Sequence, residues 1–456
     1  MIVVGLRAVT LAPGSSVVNS EMSLRDSATR IVTRLRGAGF QAYFVGGCVR
    51  DMLLGTEPHD IDIATSAQPA DVRRLFDHVI EVGAQFGVSR VELDGDWFEV
   101  AAFRTDLGYS DGRRPDAVRF TDAQGDVLRR DFTINGLLLD PADNRLLDYV
   151  GGEDDLRRKL IRCIGDPAVR FAEDKLRLLR AIRFAARLEY EIDPATYRAI
   201  QDAAPAVTTV SPERIGAELL NIFTAPHADR ALTLLRNAGL LQHVLPEIHQ
   251  MIGVRQPEAF HPEGDVFEHT RLMLAGMQNP SPELALAVLL HDVGKPATYT
   301  EEDRIRFNFH ARVGAEIAQA ICRCLRMPNT VTETVVALVG THMHFMDVPN
   351  MRESRLKRFL REPYFTDALE LHRLDCLASH KNLDTWQFCK DKLATLEPEQ
   401  IRPPRLLTGH DLIEMGRTPG PLFSQILEAV EDAQLEGRIH SREEAIAFIH
   451  RHFPSA

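Results

Sequence analysis

Asp60 and Asp62 stand two residues apart at the end of FQAYFVGGCVRDMLLGTEPHDIDI (residues 40–63). On a strand, side chains two apart share a face, so both carboxylates can address one point. Two carboxylates at one point repel unless a proton or a metal ion lies between them. Upstream, a strand-like run ends in Gly46-Gly47, and a short helical stretch then carries Arg50 and Asp51. A glycine pair at a strand-to-helix turn exposes backbone N–H groups that suit phosphate. Phosphate-binding N–H groups with metal-holding carboxylates point to phosphoryl or nucleotidyl transfer. In a two-metal mechanism one ion activates an attacking hydroxyl and the other steadies the departing pyrophosphate. Isolated D-x-D triplets are common, and two solvated strand aspartates are the plain alternative; the G-G-x-x-R-D run upstream weighs against it.

Further candidates follow in order along the chain. Glu99, in the strand-like FEVAAFR, can supply a third carboxylate to the same metals, or be an ordinary salt-bridged glutamate. The long polar segment 104–120, RTDLGYSDGRRPDAVRF, has the composition of a functional loop. In RRDFTING (129–136), Arg129 and Arg130 are planar forks suited to phosphate, and Asp131 and Asn135 can hold a ribose. In EDKLR (173–177), Asp174 and Arg177 are three apart, which on one helix makes them neighbours. An aspartate only accepts hydrogen bonds and an arginine only donates. Cytosine and adenine each set an exocyclic amine donor beside a ring-nitrogen acceptor, and guanine and uracil reverse that order. One Asp–Arg pair can therefore accept C and A, and reject G and U by leaving polar groups unpaired. A surface ion pair is the alternative. Arg180 and Arg183 follow at helical spacing, open to base, triphosphate, RNA phosphate or a core-edge salt bridge.

The second half carries dispersed histidines: His269, His291 with Asp292, His310, His342 and His344, then Asp375. Imidazoles and carboxylates from several helices can converge on a metal, although any single histidine is more often structural. Lys295, in LLHDVGKP, can meet a phosphate.

The elements that must position these groups change character along the chain. Helices are expected over 24–37 and 68–77, and strands over 41–46, 59–64, 88–93, 97–104 and 134–139. From about residue 168 the apolar period is helical, over 171–188, 213–223, 228–241, 284–291, 313–326 and 331–340. The fold class expected is α+β: a mixed-sheet head over 23–165, a helical neck over 166–254, a helical domain over 255–390 and a helical tail over 391–456. Residues 1–22 read as a disordered extension, or as the product of a start codon set too early, with Met22 as the true start. With 456 residues, 45% of them hydrophobic, there is ample core for several domains. Six cysteines form no paired framework, which fits a reducing cytoplasm. The net charge of −12 argues against a general nucleic-acid binder, but arginine clusters at 113–114, 129–130 and 170–187 leave room for a locally basic cleft. No apolar run approaches membrane-spanning length.

The order G-G-x-x-R-D, D-x-D, polar loop, RRDFTING and E-D-x-x-R resembles the class II tRNA nucleotidyltransferases, the CCA-adding enzymes and related bacterial poly(A) polymerases. The resemblance covers about residues 24–230. It implies a polymerase-β-like head and template-independent addition of C, C and A to the 3′ end of tRNA. CTP and ATP would be the substrates and Mg²⁺ the ion on Asp60, Asp62 and, with them, Glu99; neither DNA nor a membrane takes part. It further implies nucleotide contacts by Gly46, Gly47, Arg50, Arg130, Asp131, Asn135, Arg180 and Arg183. Asp174 and Arg177 would serve as a protein template oriented by Glu173, with Glu213 and Arg214 bracing the neck. The histidine order resembles the HD superfamily of metal-dependent phosphohydrolases, which implies ligands His269, His291, Asp292 and Asp375, with His310 and His342 for a second ion. Nickel, manganese, iron or zinc would suit such a site, and a 2′,3′-cyclic phosphate or 3′-phosphate at a damaged tRNA end is the natural substrate. A poly(A) polymerase, an A-adding or CC-adding specialist, and an RNA-binding regulator with an inactive head remain alternatives, as does a protein whose histidine half is the main enzyme. No oligomeric state is expected from sequence.

Overall fold

The computed structural model describes residues 23–82, 87–107, 117–257, 261–262 and 264–454. Residues 1–22 and most of the polar loop at 104–120 lie outside them. The chain divides into two compact units, the first ending at Arg157 and the second running from Arg158.

The first unit is a head built on β1 (Ala42–Val45), β2 (Ile63–Thr65), β3 (Val79–Glu81), β4 (Val88–Leu93), β5 (Asp96–Ala102), β6 (Arg104–Leu107), β7 (Ala117–Phe120), β8 (Leu137–Asp140) and β9 (Arg145–Asp148). Seven of these form a mixed sheet in the order β3-β4-β5-β2-β1-β8-β9, and β6 pairs with β7 separately. Only β2 with β5 runs parallel within the large sheet. Its helices are α1 (Leu24–Gly37), α2 (Gly47–Leu53), α3 (Pro69–Leu75), α4 (Ala123–Leu128) and α5 (Gly152–Arg157). The α1 helix starts where Ser23 accepts from the backbone N–H of Asp26, and it buries Ala28, Ile31, Val32 and Leu35 at three- and four-residue spacing. Val45, Ala64, Phe103, Ala123, Val127 and Leu138 form one core cluster that seats α4 on the sheet.

The second unit carries a two-stranded parallel pair, β10 (Leu160–Ile161) and β11 (Glu191–Ile192), and is otherwise almost entirely helical. Its helices begin with α6 (Pro167–Glu173), α7 (Leu176–Arg187), α8 (Pro194–Ala203), α9 (Pro212–Phe223), α10 (Ala228–Asn237), α11 (Leu241–Val244) and α12 (Pro246–His249). Then come α13 (Val266–Ala275), α14 (Pro282–Leu290), α15 (Lys295–Thr298), the hairpin β12 (Tyr299–Glu301) and β13 (Ile305–Phe307), α16 (His310–Cys324), α17 (Asn329–Thr341), α18 (Glu353–Leu360) and α19 (Phe365–Ala378). The last five, α20 (Asp384–Thr395) to α24 (Arg442–His452), include a tail with its own core around Leu412, Ile426, Val430 and Ile449. Among the described residues no helix is long and apolar enough to cross a membrane.

Three expected elements differ from those observed. Asp60 and Asp62 lie in an extended run just before β2 rather than within a strand over 59–64. The expected strand over 134–139 opens as a short 3₁₀ turn at Thr133–Asn135 before β8 begins. The single helix expected over 171–188 is two helices, α6 and α7, broken at Asp174, whose backbone is extended (φ −142°, ψ 105°). The Asp174 carboxylate accepts from the N–H of Leu176 at 3.0 Å, a side-chain cap that competes with helix continuation.

Candidate active sites

The head cluster is assembled by strand register. The N–H of Val45 donates to the carbonyl of Asp62 at 3.0 Å, tying the D-x-D run to β1 although it precedes β2. In the parallel pairing Ile63 lies beside Val100, so one step back sets Asp62 beside Glu99 of β5. Burial pushes the Asp62 carboxyl up to about 7; Glu99 and Asp60 push the same way, and only Arg130 opposes them. Three carboxylates thus share one electrostatic environment, which suits a hard divalent cation with oxygen ligands.

Glycine is required at the turn above this cluster. Gly46 caps α2 at φ +81°, ψ −135°, outside the range of ordinary side chains, and a Cβ there would stand 3.3 Å from Nη1 of Arg130. Arg130 is held by Asp126, a fully buried carboxylate that also receives Arg129. Burial alone would raise Asp126, but the guanidiniums of Arg130 and Arg129 hold it below the usual carboxylate range. Asp126 was not singled out from sequence; the D-x-x-R-R spacing on a helix is the signal that finds it.

Arg50, Asp131 and Asn135 are buried and joined in one hydrogen-bond network. Arg50 is 3% exposed; it donates to Asp51 at 2.7 and 2.9 Å and to Oδ1 of Asn135 at 2.8 Å. Asn135 donates to Asp131 at 3.2 Å, and Asp131 also accepts from the N–H of Phe132. G-G-x-x-R-D and RRDFTING are therefore two halves of one buried network that fixes α2 against the 3₁₀ turn.

In the second unit, the break at Asp174 replaces the expected helical neighbourhood of Asp174 and Arg177 with two separate anchors. Glu173 accepts from Arg177 at 2.7 Å and from Arg170 at 2.7 Å. Asp174 accepts from Arg214 of α9 at 2.8 Å. Arg183 pairs with the buried Glu218 at 2.7 Å and lies over the Phe184 ring, a core-edge salt bridge. Arg180 also lies over Phe184, at 5.4 Å.

The histidines converge. Two groups of metal-ligating atoms, each within 4.8 Å, share Asp292: His269, His291 and Asp292, and Asp292, His310 and His342. Asp375 lies 3.2 Å from Nε2 of His269. Close backbone approach makes this possible: a Cβ on Gly294 would sit 2.2 Å from the carbonyl oxygen of His310 and 2.6 Å from the N of Gly314. The turn that joins α14 to α15 therefore packs directly on the first turns of α16. His344 takes no place in either group and packs on Phe359.

The imidazoles are poised for a cation. Nδ1 of His291, His310 and His342 hydrogen-bonds to the carbonyls of Val288, Phe307 and Val339 at 2.9, 2.9 and 2.6 Å. Donation there leaves each Nε2 with its lone pair facing inward, the usual arrangement of a ligating histidine. The Nε2 atoms of His310 and His342 stand 3.2 Å apart, so two lone pairs face each other across a space that a cation would relieve. Burial pushes His342 down to about 3 and lowers His310. Burial alone would raise Asp292 and Asp375, yet the surrounding imidazoles and, for Asp292, Lys295 at 2.7 Å hold both well below the usual range. A cavity of about 640 Å³ opens on this cluster, with Lys295, Arg304, His372 and His380 in its wall. His372, stacked on Phe345 at 4.3 Å, was not singled out from sequence although it lies in the same HRLDCLASH run as Asp375.

Three family models match in sequence order: the poly A polymerase head domain at 42–162, the "Probable RNA and SrmB- binding site of polymerase A" at 189–252 and the HD domain at 266–378. The chain is 31% identical over 426 residues to the CCA-adding enzyme of Geobacillus stearothermophilus, covering 92% of this chain and 95% of that one. The chain belongs to the CCA-adding enzymes, a family of tRNA nucleotidyltransferases. Another CCA-adding enzyme, from Lactobacillus gasseri, is 41% identical over 421 residues, again covering 92% and 95% of the two chains. The crystal structure of the Bacillus stearothermophilus CCA-adding enzyme in complex with CTP superposes with a TM-score of 0.72 at 27% identity, over 94% of this chain and 98% of that one. The polymerase-β-like head and the helical remainder are thus the architecture of CCA-adding enzymes.

Proposed function

We propose that this chain adds C, C and A to the 3′ end of tRNA from CTP and ATP, with Mg²⁺ held by Asp60 and Asp62 and adjoined by Glu99. The register that sets Glu99 beside Asp62, with Asp60 and Arg130 close enough to act on the same carboxyl, carries the proposal. In each addition the terminal 3′-hydroxyl oxygen bonds to the α-phosphorus. The bond to the bridging oxygen breaks, pyrophosphate leaves and the hydroxyl proton passes to solvent. Bound ions would lower the pKa of that hydroxyl and neutralise charge on the leaving group. Arg130 keeps a guanidinium beside the cluster; the N–H of Gly46 donates to the Leu137 carbonyl at 3.3 Å, and the N–H of Gly47, at the start of α2, is the one suited to a phosphate oxygen. Asp174 and Arg177 would select C and A, each fixed by its own partner, Arg214 and Glu173. Six free cysteines fit a reducing cytoplasm. The test is incubation with tRNA lacking its 3′ end, Mg²⁺, and nucleoside triphosphates singly and mixed. CCA followed by a stop supports the proposal; unlimited A means a poly(A) polymerase, and A alone or CC alone a specialist.

A second activity is favoured by the two facing imidazole lone pairs of His310 and His342. The histidine cluster would hold a divalent transition metal, nickel, manganese, iron or zinc, on His269, His291, Asp292 and Asp375, with His310 and His342 around a second ion. Such an ion supplies a hydroxide at neutral pH. A 2′,3′-cyclic phosphate at a tRNA end would then take up water. One ribose P–O bond breaks, the freed ribose oxygen takes the proton, and a phosphomonoester remains. Metal-dependent opening of the cyclic phosphate to that monoester by the purified protein is the check; no opening with any of the four metals contradicts it.

A further inference from the structure

We infer that Phe309 is a base-stacking platform at the mouth of the histidine cavity, so that this site takes a phosphate carried on a nucleoside rather than a bare phosphoester. The inference rests on the phosphohydrolase activity proposed for the same residues. Phe309 precedes His310 and holds the left-handed conformation, φ 62°, ψ 17°. That region is costly for a bulky side chain. A glycine would hold the same backbone at less cost, so the turn into α16 does not itself call for phenylalanine. The ring is also 74% exposed, more than any other large apolar side chain among the described residues. Both of its neighbours, Asn308 and His310, line the cavity, so the backbone of Phe309 passes beside the rim although the ring is not part of the lining. On one side the Arg312 guanidinium lies 5.5 Å from the ring centroid. A base stacked on the ring would complete a sandwich of a kind common in single-stranded RNA recognition. Met343 and Met346, the latter 71% exposed, supply further apolar surface in the same cavity wall. Lys295 and Arg304 in that wall provide the charge a phosphate needs. Strain, exposure and position coincide on one residue beside a metal-ligand set, where a base attached to the reacting phosphate would lie.

The test compares wild type, Phe309→Gly and Phe309→Trp on adenosine 2′,3′-cyclic phosphate and on the base-free ribose 2′,3′-cyclic phosphate, with Mn²⁺ or Ni²⁺. Phe309→Gly keeps the backbone conformation allowed. It should lower kcat/KM on the adenosine substrate by about tenfold, mostly through KM, and leave the base-free substrate unchanged; Phe309→Trp should restore the loss. Equal loss on both substrates, or none on either, overturns the inference. If wild type hydrolyses neither substrate, the phosphohydrolase proposal fails, and stacking is read separately. Fluorescence of the Phe309→Trp variant should then be quenched by adenosine 3′-phosphate and not by ribose 5-phosphate. Absence of that difference overturns the platform itself.

Discussion

The head and the histidine half both gather carboxylates, and they treat them in opposite ways. Asp62 sits among other carboxylates, and burial with Glu99 and Asp60 drives it up to about 7. Asp292 is buried and Asp375 half-buried, but imidazoles beside both, and Lys295 beside Asp292, hold them well down, while burial keeps His342 and His310 neutral. The first arrangement competes with protons for a hard, oxygen-seeking cation. The second offers ionised carboxylates and neutral nitrogen donors, the set that borderline transition metals prefer. One chain thus carries two candidate metal sites that differ in ligand hardness and in pH response.

The sharpest way to break this comparison is to remove the carboxylate shared by both histidine groups. Asp292→Ala should abolish metal-dependent phosphoester hydrolysis, by about a thousandfold or more, and the bound transition metal should fall in elemental analysis. Loss of nucleotide incorporation in the same variant would show that the two sites are not chemically separate.

Gly294→Ala strikes the same site through the backbone. Its Cβ would meet the His310 carbonyl at 2.2 Å, so the α14–α15 turn and α16 must part. Overpacking of this kind costs about 1–3 kcal/mol, and calorimetry should show a lower melting temperature together with weaker transition-metal binding. Unchanged metal content would mean that the cluster does not depend on that close approach.

Arg214→Ala asks whether base selection belongs to a third place. With its partner at 2.8 Å gone, Asp174 loses an anchor, and discrimination of CTP and ATP against UTP and GTP should fall by about ten- to a hundredfold at nearly constant fold stability. Misincorporation measured with single triphosphates checks it; unchanged selectivity would detach Asp174 from the choice of base.

The smallest effect concerns pH. Asp62 has a folded-state pKa above its ordinary 3.8, so its contribution to stability is whole below about pH 4 and is lost as pH rises through about 7. Asp62→Asn should therefore stabilise the metal-free protein at pH 8, by on the order of 1–4 kcal/mol, while removing a metal ligand. His342 and His310 act oppositely. Both are lowered and so favour the fold above about pH 6.5; for His342 that stability falls away as pH drops through about 3. Lowering the pH from 8 to 6 should weaken Mg²⁺ binding at the head more than transition-metal binding at the histidines, as calorimetric titration would show.

Local signals made much of this visible before any coordinates. The D-x-D pair, Glu99, and the histidines at 269, 291, 310 and 342 were identifiable because residue type and order carry their chemistry. The partners that orient them were not. Arg50 and Asn135 are 85 residues apart, and nothing near either shows that they hydrogen-bond inside the head. Arg214 reaches Asp174 across 40 residues. The break at Asp174 was hidden because the apolar helical period runs on through it, and a single aspartate cap outweighs that period locally. Asp60 and Asp62 were expected within a strand; the β1 ladder does extend to Asp62 through one backbone bond, although the regular strand starts a residue later.

The central proposal is that CCA addition uses Mg²⁺ on the head's own carboxylates and needs no metal at the histidine cluster. The most direct measurement is single-nucleotide analysis of tRNA lacking its 3′ end, after incubation with CTP, ATP and Mg²⁺ in the absence of any transition metal. Wild type and Asp292→Ala should both add three nucleotides and stop, and Asp60→Ala should add none. Incorporation that survives Asp60→Ala, or vanishes with Asp292→Ala, would contradict the claim.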